Sequence, residues 1–269
     1  MKKIAWIIAA LVVVAGGLAF YYHFMPARMT RDNIRDAIMA EERLDRAPGT
    51  DPTELAEEVD LGPIPEVDAM ADATFVELDE PPLTEDGETP DVFHVRFECS
   101  NGNFVVEVHR AWAPLGAQRL HELISEGVYD EARFFRVVPD FVVQWGIPAD
   151  PEEAAKWRTN TIADDPVLQS NERGMLTFAT SGPNSRTSQV FINFNDNTNL
   201  DLMGFAPVGR VVKGMDVVDS INPEYGQSVN QGRIQHQGNE YLTEEYPNMD
   251  YIERAVFVTS ADEGANASD

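Results

Sequence analysis

The segment 92–109 constrains the fold more than any other. Val95, Phe97 and Cys99 alternate with Arg96 and Glu98, and Phe104, Val106 and Val108 alternate with Val105, Glu107 and His109. A period of two sends successive side chains to opposite faces of a pleated strand. Asn101-Gly102 lies between the runs, the residue pair that a tight hairpin turn prefers. Further strand-like runs recur at 134–138, 141–145, 174–179, 189–194 and 205–212, and Ala255 to Thr259 closes the series. A helix opens at Pro114, lines one face with Leu120, Leu123 and Ile124, and stops at Gly127. A second, short helix is predicted over Gly214 to Ile221. Many short strands and two helices predict a mainly β fold, a closed antiparallel barrel with helical caps. Residues 222–250 read as a long polar insertion with little periodicity.

Four segments are expected: an anchor at 1–25, a linker at 26–91, a folded domain at 92–260 and a short acidic, disordered tail at 261–269. Lys2 and Lys3 precede an uncharged run from Ile4 to Tyr22. Its 19 residues approach the ~20 that cross a bilayer core and exceed a usual cleaved signal. The run is read as a transmembrane signal anchor, with the rest of the chain outside the cytoplasm, on the periplasmic side. Gly17-Leu18-Ala19 leaves cleavage open, which would make the protein secreted or periplasmic. Thr30 to Ala47 has the composition of a solvated helix. From Glu41 to Asp91 there are 18 acidic residues against Arg43 and Arg46, with seven prolines, the composition of an extended tether. Within it Thr74 to Leu78 reads as one strand packing on the next domain.

The net charge of −26 repels phosphate backbones, so no nucleic-acid partner is expected. Cys99 is the only cysteine, which excludes an intrachain disulfide; it reads as a small buried hydrophobe. The five histidines share no metal-ligand spacing, and His94 and His109 are placed on opposing strands in a structural role. Neither metal nor cofactor is expected. No Gly-x-Ser-x-Gly elbow or phosphate-cradling glycine loop occurs.

One run departs from ordinary strand chemistry. In 133–144, Arg136 stands among Phe134, Phe135, Val137 and Val138, followed by Phe141 and Gln144. A guanidinium among such residues needs a partner. Phe135-Arg136-Val137-Val138-Pro139 with Phe141 and Gln144 resembles a segment of the cyclophilins, which are peptidyl-prolyl cis-trans isomerases. Ser181-Gly182-Pro183-Asn184 with Ser188-Gln189-Val190-Phe191-Ile192 resembles a second, and Asn199-Leu200-Asp201 with the run Gly209 to Val218 a third and fourth. The motifs keep family order and cover roughly Val92 to Thr259. The resemblance implies a barrel of eight antiparallel strands closed by two helices.

It also implies roles. Arg136 is the catalytic residue, donating a hydrogen bond to the prolyl nitrogen. Phe141, Phe191 and Leu200 wall a slot for the proline ring, with Phe178 in place of a methionine. Gln144 and Gln189 line the groove, and the Ala179-Thr180 backbone grips the substrate strand. Phe205 stands near the family's pocket histidine, after a one-residue insertion between Leu200 and Gly209. Asn199 lies where eukaryotic members often carry tryptophan, so cyclosporin binding should be weak, and Phe135 replaces a frequent histidine. The plainer alternatives are a surface salt-bridge arginine at a strand end for Arg136, ordinary barrel core for Phe141, Phe178, Phe191 and Leu200, and a satisfied internal hydrogen bond for Gln144 and Gln189. The implied function is isomerisation of X-Pro bonds in exported proteins by a bacterial-like, membrane-anchored monomer. The alternative is a module that grips proline segments as a holdase, with little turnover.

Overall fold

The computed structural model describes Met70 and residues 73–261. The apolar run Ile4 to Tyr22, the helix read at Thr30 to Ala47, most of the acidic tether and nearly all of the tail lie outside the described residues. Among the described residues no helix is long and apolar enough to cross a membrane.

Nine strands form one antiparallel sheet. They are β1 (Phe75–Glu77), β2 (Val92–Cys99), β3 (Gly102–His109), β4 (Arg136–Val138), β5 (Val142–Trp145), β6 (Met175–Phe178), β7 (Val190–Asn193), β8 (Pro207–Lys213) and β9 (Ile252–Ser260). Their hydrogen-bonded order is β1-β9-β2-β3-β8-β6-β7-β5-β4. Eight strands lie from Val92 onward, as expected. The ninth, β1, is the strand read at Thr74 to Leu78, and it pairs with β9.

The β2–β3 hairpin forms with a small shift. Cys99 pairs with Gly102, so Ser100 and Asn101 make the tip and Gly102 opens β3. Tertiary contacts account for this. Asn101 Nδ2 donates to Val217 O (2.9 Å) and Ser220 Oγ (3.0 Å), and a Cβ on Gly102 would crowd Val217. The inward face of the sheet packs an aromatic core. Phe97 and Phe104 stack at 4.9 Å, and Trp145 meets Phe97 edge-on at 5.5 Å and Phe134 at 5.6 Å. Burying each such ring contributes about 1.5–3 kcal/mol. Cys99 is buried at the edge of this core, and burial raises its thiol pKa.

The expectation of two helices is corrected. Among the described residues there are four α-helices: α1 (Pro114–Ser125), α2 (Pro151–Thr159), α3 (Met215–Asp219) and α4 (Gln231–Glu245), with a 3-10 helix at Thr198–Met203. Helix α1 buries Leu120, Leu123 and Ile124 and ends before Gly127, which is left-handed at φ 65°. Helix α4 occupies the segment read as an aperiodic insertion. Gly238 breaks its periodicity with non-helical backbone angles, and its two halves still bury Ile234, Tyr241 and Leu242. These side chains join Phe135, Ile147, Ala154, Val229 and Met249 in a second apolar cluster, separate from the central core.

His94 and His109 do lie on opposing strands. Both ring Nε2 atoms bond the buried Glu107 carboxylate, at 3.3 and 2.8 Å, and Arg210 donates to it from Nε and Nη2. Burial alone would raise the Glu107 pKa; the bonds from His109, His94 and Arg210 outweigh it and hold the group well below the usual carboxylate range. Every member is a satisfied structural group. Among the described residues no cluster of His, Cys, Asp or Glu is arranged to hold a metal.

Candidate active site

Strand alternation builds a groove on the outer face of β4, β5 and β7. Val137, Val143 and Trp145 point into the core. Arg136 pairs with Gln144, and Gln144 pairs with Phe191. The period of two therefore places Arg136, Gln144 and Phe191 side by side across three strands on the opposite face. Next to them, Val142, Phe191 and Leu200 form a small apolar cluster with Phe141, Ala179 and Phe205 packed against it. Six residues from four separate sequence stretches meet there, and five of them are residues singled out from the sequence.

The polar side of the groove is one chain of hydrogen bonds. Arg136 Nη1 donates to Gln144 Oε1 (3.1 Å), and Gln144 Nε2 donates to Gln189 Oε1 (3.0 Å). The guanidinium carbon lies 5.5 Å from the centre of the Phe141 ring. Burial lowers the Arg136 pKa from its ordinary value, and arginine stays charged regardless. Among the described residues no carboxylate lies within ion-pair distance of it. A neutral amide is thus the partner that the sequence said this cation needs.

Phe178 is placed differently from expectation. It is 1% exposed and belongs to the central core, opposite Val190. Thr177 pairs with Phe191 on the groove side instead. Alternation decides this, because a residue adjacent in sequence to a groove position faces inward. Phe205 does reach the apolar cluster, meeting Phe191 edge-on at 5.7 Å. The Thr180 hydroxyl is turned back into its own loop, bonded to Gly182 and Ser185. Ala179 N donates to Gln189 O (2.9 Å), tying the loop to the glutamine pair.

Two supports were not read from the sequence. The first is a buried polar network under the apolar cluster. Asn171 Nδ2 donates to Asp201 Oδ1 (2.8 Å) and Phe205 O (2.8 Å), and Asn171 Oδ1 accepts from Thr177 Oγ1 (2.8 Å) and Asn193 Nδ2 (3.3 Å). Asn197 Nδ2 donates to Phe141 O (2.9 Å) and Asn193 Oδ1 (2.9 Å). This network fixes the 3-10 helix that carries Leu200 and holds Phe141 and Phe205 by their backbones. Asn193, a polar residue closing an apolar strand run, was the available sign. The second is Gly146 at φ 106°, where any Cβ would collide with Ser188 O. Its absent side chain lets the Ser188-Gln189 backbone approach β5, and Ser188 Oγ donates to Gly146 O (2.7 Å).

The model of the family described as cyclophilin type peptidyl-prolyl cis-trans isomerase matches residues 94–239. The chain is 36% identical over 134 residues to a peptidyl-prolyl cis-trans isomerase of Acinetobacter baylyi, covering 47% of this chain and 70% of that protein. It is 35% identical over 142 residues to peptidyl-prolyl cis-trans isomerase A of Dickeya dadantii, covering 51% and 74%. A crystal structure of a cyclophilin-type isomerase from Cryptosporidium parvum aligns at a TM-score of 0.48 and 18% identity, over 63% of this chain and 99% of that one. The chain belongs to the cyclophilin-type peptidyl-prolyl cis-trans isomerase family. Its activity is that of the family, rotation about the peptide bond that precedes proline.

Proposed function

We propose that Arg136 is the catalytic residue of this isomerase and that the apolar cluster is its proline slot. The X-Pro amide has partial double-bond character and a rotation barrier of about 18–20 kcal/mol. No covalent intermediate is required; the enzyme must bind the twisted amide better than either planar form. As the bond twists, the prolyl nitrogen becomes pyramidal and regains a lone pair. A guanidinium N–H directed at that lone pair weakens its conjugation with the carbonyl. Such a donor acts most strongly when preoriented away from bulk water. The observation that carries this reading is the half-buried Arg136, held by Gln144 beside Phe141 with no carboxylate to neutralise it.

The proline ring enters between Phe141, Phe191, Leu200 and Phe205. The Gln144–Gln189 pair and the Ala179-Thr180 backbone hold the flanking chain. One chain supplies every one of these groups, which supports a functional monomer. The clients are proline-containing polypeptides. We place the catalytic domain outside the cytoplasm on a membrane anchor of bacterial type, on the strength of Lys2, Lys3 and the apolar run Ile4 to Tyr22. A closed barrel is part of the same reading. Phe134 N donates to Asp250 O (3.1 Å), Ile252 N donates to Ala132 O (2.9 Å), and Arg133 bridges to Tyr251, which brings the approach to β4 against the approach to β9.

A protease-coupled proline-peptide assay on the full-length chain tests the site. Arg136→Ala should lower kcat/KM by at least about 100-fold, the loss of a preoriented donor. Full activity in that variant refutes the assignment. An inactive wild-type chain that still binds proline peptides would favour a holdase.

A further inference from the structure

We propose that the segment 222–250 is a positioning element for Arg136, clamping the strand that carries it and so setting turnover; this rests on the isomerase reading above. Strand β4 has three residues, stands last in the sheet and pairs only with β5. A strand so short, with one neighbour, leaves its outer backbone groups unpaired and its position loosely fixed. The segment supplies what is missing. Val137 N donates to Gly226 O (2.9 Å) on that outer edge. Just upstream, Phe134 N donates to Asp250 O (3.1 Å) and Arg133 Nη1 to Met249 O (3.1 Å). Carbonyls from both ends of the segment thus hold the chain on both sides of Arg136.

Side chains complete the clamp. Phe134 enters the central core, while Phe135 is buried among Ile147, Ile234, Tyr241, Leu242 and Met249. Helix α4, which provides three of these, is itself locked in place. Gly238 lacks the Cβ that would strike Ala149 O, and Asn239 donates from N to Ala149 O (3.1 Å) and from Nδ2 to Glu131 O (2.9 Å). The helix is therefore tied to the chain before β4 and after β5. None of its residues belongs to the groove cluster. Its influence on the reaction must pass through the placement of Arg136. A displacement of about 1 Å costs up to ~100-fold in rate.

The test is Leu242→Ala in the full-length chain, with kcat and KM measured separately and amide exchange followed at Val137 and Val143. The expected result is a kcat lower by about tenfold, a KM within about twofold of wild type, faster exchange at Val137 and unchanged exchange at Val143. The volume-conserving Leu242→Met should restore kcat. An unchanged kcat despite faster Val137 exchange overturns the inference, as does unchanged Val137 exchange. Should Leu242→Ala fail to fold, Ile234→Val applies the same test, with kcat down about threefold. Active wild type with intact kcat in these variants sinks this inference alone. An inactive wild type, or Arg136→Ala with full activity, sinks the reading beneath it.

Discussion

Replacing Gln144 with glutamate should stabilise the protein and slow the enzyme at the same time. The Arg136 guanidinium rests 3.1 Å from a neutral amide oxygen. The substitution keeps the shape and puts a full negative charge there. Two unit charges about 4 Å apart at an effective dielectric of about 20 attract by about 4 kcal/mol. Position 144 is 7% exposed, so desolvating the carboxylate offsets most of this, and the net gain should be about 1 kcal/mol. The bond to Gln189 survives, because that amide can turn and donate instead. Catalysis moves the other way. The twisted amide must now draw the guanidinium away from an ion pair. An extra 1.4–2.7 kcal/mol of competition, roughly, is a factor of about 10–100 in kcat/KM. The control is Gln144→Leu, which also slows turnover but destabilises by about 1–3 kcal/mol by leaving the guanidinium without an acceptor. Denaturant unfolding and the proline-peptide assay read the two effects. Wild-type turnover in Gln144→Glu, or stability shifts of the same sign in both variants, refutes the argument that Arg136 works because its partner is neutral.

Two further outcomes follow from buried groups. Asn171→Leu removes a residue bonded to Thr177, Asn193, Asp201 and Phe205; it should destabilise by about 3 kcal/mol and raise KM, because the Leu200 helix and Phe205 lose their anchor. Unchanged KM in a folded variant would detach this network from the groove. Burial lowers the His121 pKa against the opposing bond to Pro82 O, and the ring packs against Phe93 and Phe257. A base with a depressed folded pKa is fully stabilising above its unfolded value of about 6.5, and that stability is lost as pH falls below it. Unfolding free energy measured from pH 8 to 5 should therefore decline below about 6.5, and His121→Gln should flatten the decline. An equal slope in both proteins would exclude His121 as its source.

The residues along the chain determined which segments could be strands and which cation needed explaining. Alternation marked β2 and β3, and short apolar or β-branched runs marked β4 through β9, because both patterns are local properties of the chain; β5, β6 and β7 are buried on both faces and show no alternation. Arg136 stood out for an equally local reason, a charge amid aromatic and β-branched neighbours. Three-dimensional packing decided everything that depends on distant neighbours. Phe178 went to the core rather than the groove because pairing with β7 fixed which face of β6 looks outward. Asn171, Thr177 and Asn197 became one network only when loops brought them together, and each alone is an unremarkable polar residue. Helix α4 was hidden because Gly238 breaks its periodicity, and that break exists to let Ala149 approach. Whether a polar side chain is solvated or holds up an active site depends on what lies opposite it, and chain order does not record that.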